Sequence, residues 1–251
     1  MKSTESPQFR SILGIKFFVG DANQAVQRMK DGGLLVVPAA PALKNLPHDA
    51  GYRKALLEAD LVITDSAFMV LVWNYLQHDS IRRVSGLEYL SALLKQDSFC
   101  EAHQSFWIMA NEESAKTNCE WLGKQGIDLT PGDIYTAPYY GKSIRDDLLL
   151  RRIQETRPKH IVVTIGGGTQ ERLGLYLREH LDYTPSIHCV GAAIAFLSGD
   201  QVHIPLWADR MYLGWLLRCL SDPKRYLPRY WDARKLLALM VRHGSSLPGS
   251  A

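Results

Sequence analysis

Short runs of apolar and β-branched residues recur along this chain, with helix-length segments between them. SILGIKFFV, LLVVPA, LVITD, FWIMA, IVVTI and SIHCVG read as strands. DANQAVQRMKD, AGYRKALLEA, AFMVLVWNYLQ, LEYLSALLKQ, ESAKTNCEWLGKQG and SIRDDLLLRRIQETR read as helices, the last with Ser143 as N-cap. This alternation narrows the options sharply. Parallel strands need a long crossover between them, and a crossover helix must bury its apolar stripe against the sheet. The chain is therefore expected to be α/β, a Rossmann-like parallel sheet covered by helices. After SIHCVG the pattern turns helical, which places an α/β core over residues 1–209 and a C-terminal helical basic appendage over 210–251.

Composition sets the outer bounds. The 251 residues suffice for one large domain or two small lobes, and 46% apolar with 22% charged residues is ordinary for a soluble globular chain. The net charge of +3 is too small to imply nucleic acid, but it is unevenly spread. Residues 210–242 hold eight basic and two acidic residues, which leaves the remainder slightly acidic. Such asymmetry points to a surface or a polyanion as partner. Trp215, Tyr226, Tyr230 and Trp231 interleave with the basic residues. That mixture suits a helix lying in a lipid headgroup layer, or a helical pair packed on the sheet with an exposed basic face. It also suits single-stranded nucleic acid, which the helical context disfavours. Cys100, Cys119, Cys189 and Cys219 lie far apart without metal spacing, so they read as buried thiols of a reducing cytosol. MKSTESPQFRSILG has no apolar signal core and no run of about 18 apolar residues exists, so a soluble or surface-resting protein is expected.

In open α/β sheets ligands collect at the carboxyl ends of the strands. Those ends are Pro38-Ala39-Ala40, Thr64-Asp65-Ser66, Ala110-Asn111, Gly166 to Gly168, and Gly191. Asp65 is the one acid among them, whereas Asp60 precedes its strand and should face away. Asp65 either caps the helix that follows or serves as a general base, its proton affinity lifted by burial. In IVVTIGGGTQE a strand stops at three glycines and feeds a helix, so bare N–H groups meet a positive dipole end. The stretch has neither dinucleotide spacing nor a Gly-Lys-Ser/Thr ending, which leaves open a phosphate site and a tight strand-to-helix turn. Gln170 offers a donor and an acceptor to a base or sugar hydroxyl; Glu171 suits the helix dipole. Of Arg82 and Arg83, one reads as a surface charge and the other as a candidate phosphate ligand.

Taken in order, these segments resemble the WecG/TagA/CpsF glycosyltransferases, family 26. ILGIKFFVGD, GYRKALLEADLVITD, RRVSGLEYLSALL, GGGTQE, VGAAIAFLSG and WLLRCLSDPKRYLPRY each match a family segment. The resemblance implies inverting, metal-independent transfer of a hexose-type sugar, with no bound cofactor. The donor would be a UDP-sugar and the acceptor a polyprenyl-diphosphate-linked glycan of bacterial cell-surface polysaccharide synthesis. It implies a cytoplasmic protein, peripheral on the inner face of the plasma membrane, with an anionic membrane surface as partner, no nucleic acid, and room for an oligomer. The family's catalytic acid maps onto Asp65 and its arginine onto Arg83. The nucleotide-binding set maps onto Gly166, Gly167, Gly168, Thr169, Gln170 and Gly191. Arg218, Arg225 and Arg229 would meet acceptor diphosphate.

The chain also departs from the family pattern. Thr169 stands where a Lys is usual, Ala195 for an Asp, His203 for an Arg, Gly214 for a Glu, and Pro38 and Ala40 for Thr and Asn. Ser66-Ala67-Phe68 replaces a Gly-rich stretch. These changes cluster at strand ends, and they motivate one alternative: an altered paralogue that binds UDP-sugar or lipid-linked glycan without turnover. A nicotinamide-dependent enzyme is a weaker rival, because GGGTQE comes late and lacks the fingerprint spacing.

Overall fold

Two short strands, β1 (Phe9–Ile12) and β2 (Ile15–Phe18), open the described chain. There follow α1 (Ala22–Arg28), β3 (Gly33–Val36), α2 (Ala40–Leu43), α3 (Ala50–Glu58), β4 (Leu61–Ile63), α4 (Ala67–Gln77) and α5 (Gly86–Leu93). Then come β5 (Ser105–Met109), α6 (Glu112–Lys124), β6 (Ile134–Thr136), α7 (Asp147–Thr156), β7 (His160–Val163), α8 (Thr169–His180) and β8 (Ser186–Cys189). The chain ends in α9 (Ala193–Ser198), α10 (Leu206–Arg210), α11 (Gly214–Ser221), α12 (Pro223–Asp232) and α13 (Arg234–His243). The computed structural model describes residues 9–96, 99, 101, 103–201 and 204–249, with the backbone but not the side chains of Arg225 and Arg229. The expectations for those two side chains, for His203 and for Cys100 lie outside the described residues.

The strands form one sheet in the order β1-β2-β4-β3-β8-β7-β5-β6. Every pairing is parallel except β1 with β2. Strands β3, β5, β7 and β8 are buried along their whole length. That is why their sequences are continuous apolar runs rather than alternating ones. Leu34 and Val36 enter one core layer with Tyr52 of α3, Met69 of α4, Leu149 of α7 and Leu173 of α8. Leu35 and Val37 enter the other, with Val26 of α1, Leu90 of α5, Leu122 of α6 and Ile194 of α9. Each such side chain stabilises the fold by about 1.5–3 kcal/mol relative to exposure. The expected α/β architecture is present.

Several local expectations need correction. SILGIKFFV is not one strand but a hairpin, because Leu13 and Gly14 both take positive φ, 51° and 75°. Two such residues suit the tight turn whose twist matches its strands. A Cβ at Gly14 would lie 2.5 Å from that of Leu247, so glycine is required there. The cap of α7 is Asp146 rather than Ser143; its Oδ1 accepts the Leu149 N–H at 2.9 Å, and Tyr135 and Tyr140 donate to Oδ2. Strand β6 and helix α2 escaped prediction because three or four residues carry no periodicity. Cys189 and Cys219 are buried thiols as expected, and Cys119 is half-buried.

The last helices do not all stand apart from the sheet. Leu236 and Met240 of α13 lie in the first core layer. Beyond them, the Gly244 and Ser245 carbonyls accept the N–H groups of Leu13 and Gly14, both at 2.9 Å. Among the described residues no helix is long and apolar enough to cross a membrane.

Candidate active site

Four neighbouring strands, β4, β3, β8 and β7, deliver Asp65, Pro38, Gly191 and Gly166 to one rim of the sheet. From β4 to β7 is three strand spacings, about 14 Å. This rim contains the place where the chain order reverses, since β2, β3 and β4 fill one half and β5 to β8 the other. Crevices for ligands form at such switch points. Asp60 lies at the opposite edge as expected, its Oδ2 accepting the Leu34 N–H at 2.8 Å.

At the β7 end, α8 begins at Thr169 with Gly168 as N-cap at φ 90°, a conformation that favours glycine. A Cβ on Gly166 or Gly168 would meet nothing within 4 Å, and one on Gly167 would meet only Ala42 at 3.9 Å. The loop backbone therefore faces open space, as a ligand cradle requires. Gln170 is buried, with Nε2 directed to Glu171 at 3.3 Å and Oε1 without a partner. A Cβ on Gly191 would lie 3.5 Å from the Gln170 amide, which joins the β8 end to this loop. Glu171 is also buried; its Oε2 accepts the Gly168 N–H at 2.6 Å, the role at a helix start that its position implied. Burial pushes its carboxyl up to about 7, against the opposing effect of the N–H groups it accepts. Arg172, which no sequence pattern singled out, donates from Nε to the Gly168 carbonyl at 3.0 Å and from Nη2 to Thr169 Oγ1 at 3.4 Å. A guanidinium thus stands beside the loop although Thr169 is not a lysine.

At the β4 end, Asp65 does not cap α4. Ser66 does, accepting the Met69 N–H at 3.1 Å. Asp65 Oδ1 instead accepts the N–H of Gly86, the first residue of α5, at 2.9 Å. Gly86 packs so tightly on the rim that a Cβ there would sit 3.2 Å from the Val190 carbonyl. This contact chain links Asp65 through Gly86 and Val190 to Gly191 and the Gly-rich loop. Burial raises the proton affinity of Asp65; Arg83, the Gly86 N–H and Arg218 oppose that shift, and Asp209 adds to it. The side chain keeps 22% exposure, enough for a substrate hydroxyl to reach it.

Of the two neighbouring arginines one is the expected surface charge, while the other is bonded to protein acceptors. Arg82 is exposed and pairs with Glu88 at 2.7 Å, while Arg83 is largely buried. Its Nε donates to the Asp65 carbonyl at 2.6 Å, and its Nη atoms reach Asp209 Oδ1 at 3.0 and 3.1 Å. Asp209, on α10, was invisible to the strand-end argument. It also accepts from Ser85 Oγ, and a Cβ on Gly214 would lie 3.5 Å from its Oδ1. A carboxylate therefore occupies the neighbourhood where Gly214 replaces the family's Glu. Tyr212, at positive φ of 63°, brings its hydroxyl to the Arg83 N–H at 3.4 Å.

Arg218, on α11, lies over the Phe196 ring of α9 with its guanidinium 4.2 Å from the centroid. Its Nη1 donates to Tyr230 Oη at 3.3 Å, and its buried Nε has no partner. Of the four aromatics expected at an interface, Trp215 and Trp231 are exposed. Tyr226 is not available there: it is buried and donates to Gln201. Trp207, Met211, Leu220 and Leu227 enlarge the exposed apolar surface of α10 to α12.

Residues 10–247 match the family described as the glycosyl transferase WecG/TagA/CpsF family. The chain is also 23% identical, over 210 residues, to the N-acetylglucosaminyldiphosphoundecaprenol N-acetyl-beta-D-mannosaminyltransferase of Bacillus spizizenii. That match covers 80% of this chain and 78% of that enzyme.

Proposed function

We propose, from the premise that the chain belongs to the WecG/TagA/CpsF family of glycosyl transferases, that it moves a hexose-type sugar from a UDP-sugar to a polyprenyl-diphosphate-linked acceptor. The reaction inverts the anomeric centre, needs no metal, and serves the synthesis of a cell-surface polysaccharide. The observation that carries this reading is the shared rim, on which strands about 14 Å apart end in a carboxylate of raised proton affinity and in an open glycine backbone. A nucleotide diphosphate with a sugar attached spans such a gap.

Gly166, Gly167 and Gly168 let the backbone approach the UDP diphosphate, and the start of α8 presents its N–H dipoles. Gln170 holds a donor hydroxyl through its free Oε1, and Gly191 keeps the wall beside it thin. Asp65 takes the proton of the acceptor hydroxyl as that oxygen forms its bond to the anomeric carbon. The bond from that carbon to the β-phosphate oxygen breaks with its electron pair, and UDP leaves. Developing charge on the diphosphate is met by the positive end of the α8 dipole and by Arg172 beside the loop, since the Gly168 and Gln170 N–H groups are engaged by Glu171 Oε2 and the Gly166 carbonyl. Arg218, with Arg225 and Arg229, receives the acceptor's diphosphate, and Arg83 orders the Asp65 end.

Helices α10 to α12 dock on an anionic membrane surface, with Trp207, Trp215 and Trp231 at the headgroup level. The protein then works as a peripheral protein at the inner face of the plasma membrane, where lipid-linked glycans are presented. A panel of UDP-sugars with a lipid-diphosphate-linked amino-sugar acceptor tests the reading. Transfer from at least one donor is expected, insensitive to chelator. Tight UDP-sugar binding without turnover would instead make the chain an altered, binding-only paralogue.

A further inference from the structure

Asp209 takes no part in the chemistry just described, yet most of the polar contacts behind Asp65 converge on it. Its Oδ1 receives both Nη atoms of Arg83, its carbonyl receives Nη1 again at 2.8 Å, and its Oδ2 receives Ser85 Oγ. With Nε committed to the Asp65 carbonyl, four of the five guanidinium N–H groups have acceptors. The remaining one, on Nη2, lies on the side of Asp65, whose Oδ1 is 3.7 Å away. That is an ion pair without a hydrogen bond. A guanidinium seated directly on Asp65 would make it a poor base, since a close opposite charge lowers a carboxyl's proton affinity by about 1–3 pH units. Ser85 in turn caps α5, accepting the Glu88 N–H at 3.0 Å, and so fixes the helix start whose Gly86 N–H meets Asp65.

We propose that Asp209 is a positioning residue for the transfer reaction: it holds Arg83 at a non-bonding distance from the Asp65 carboxylate and anchors Ser85. The carboxylate is thereby left free to take the acceptor's proton. The idea rests on the reading of Asp65 as the base. It adds that α10, which carries the exposed Trp207 and is followed by the exposed Met211, controls that base. Whatever moves α10 moves Arg83.

The groups facing Asp65 are Arg83 from the turn before α5, the Gly86 N–H, Asp209 from α10 and Arg218 from α11. Asp209→Asn removes the one negative neighbour and frees Arg83 to turn toward Asp65. Both effects have the same sign, so the Asp65 carboxyl, followed by ¹³C NMR, is expected to titrate lower by about one pH unit or more. The acid limb of kcat/KM should move down with it, while kcat falls about 10²-fold and the UDP Kd stays unchanged. A residue that merely packs α10 would lower the Tm and leave the Asp65 titration where it was; that outcome overturns the proposal. A second variant restores the charge from next door. A Cβ at Gly214 would make ordinary contacts, 3.5 Å to Asp209 Oδ1 and 3.7 Å to Ile204, so Asp209→Asn/Gly214→Glu is expected to return the Asp65 titration toward wild type. Should the single variant not fold, the double variant decides alone, and a titration left well below wild type overturns the proposal. If the wild-type protein transfers no sugar, the base assignment fails, and the NMR titration still decides whether Asp209 governs Asp65.

Discussion

The two ends of the rim are built by different means. At the β7 end the ligand-facing surface is backbone: Gly166 to Gly168 and the start of α8 lie within a few residues of each other. At the β4 end it is side chains brought from three separated segments, Asp65, Arg83 with Ser85, and Asp209. A backbone cradle tolerates neighbouring change, since its N–H groups persist whatever side chains surround them. A side-chain cluster fails when any member is lost, because a buried charge is left unpaired. Two of the departures from the family pattern fit this division. Thr169 for Lys leaves the cradle's geometry intact, while Gly214 for Glu is matched by an acid at Asp209.

The largest test of that contrast is at the base. Asp65→Asn, nearly isosteric, is expected to slow transfer by roughly 10² to 10⁴ while UDP binding, which belongs to the other end, stays unchanged. Turnover and calorimetry on one preparation check this, and a wild-type rate would remove Asp65 from the chemistry. The activity of the wild-type enzyme should fall as pH drops through the titration of Asp65, which burial raises from its ordinary value.

A second test lies behind the cradle. Glu171 titrates at about 7 when folded and near 4.5 otherwise, so its protonated form is the favoured one in the fold. The stability it allows is fully present below about pH 4.5 and is lost as pH rises to 7 and beyond. Glu171→Gln is neutral throughout. It should equal wild type near pH 5 and exceed it by at most about 3 kcal/mol at pH 8. Urea unfolding at the two pH values checks this, and an equal difference at both would refute the burial account.

Smaller effects sharpen the picture. Gly167→Val should fold normally, because its Cβ would touch only Ala42. It is expected to weaken UDP by about tenfold, roughly 1.4 kcal/mol, through the blocked approach. An unchanged Kd would make the loop a structural turn only. Smallest is the effect of Lys224→Ala on the exposed side of α12. Partition into anionic vesicles should weaken by about 1 kcal/mol, with neutral vesicles unaffected. Point variants suit this question better than truncation, because Leu236 and Met240 of the same region hold the core.

The same division explains what the sequence made legible. Most strands, most helices and the Gly-rich turn are local patterns, readable because periodicity and turn chemistry act over a few residues, while the β1–β2 turn and the three-residue β6 were not. Asp65 was readable because strand ends converge in this class of fold. Asp209 was not: it sits in a short helix after the last strand, and nothing local distinguishes it from a surface acid. Its significance arises from a contact with Arg83 made across 126 residues. The family resemblance supplied Arg83 and the nucleotide set, but it could not reveal Arg172, whose role depends on the conformation of the loop it grips.

The closure of the first hairpin by the last described residues has a consequence for how this chain acquires its fold. The N–H of Leu13, a residue only 1% exposed, finds its acceptor at Gly244, and that of Gly14 at Ser245. Until residues 244 to 248 have been made, the β1–β2 edge has a turn with two unanswered donors. It also has an open apolar seat, where Gly14 awaits Leu247. Contacts of such long sequence separation form late and slow folding, because the intervening chain must be ordered first. During synthesis the centre of the sheet can assemble while the β1–β2 edge stays unfinished. An unfinished edge strand is a template for pairing with other chains. The β1–β2 turn thus stays open to association until residues 244 to 248 have been made and its two N–H groups are answered.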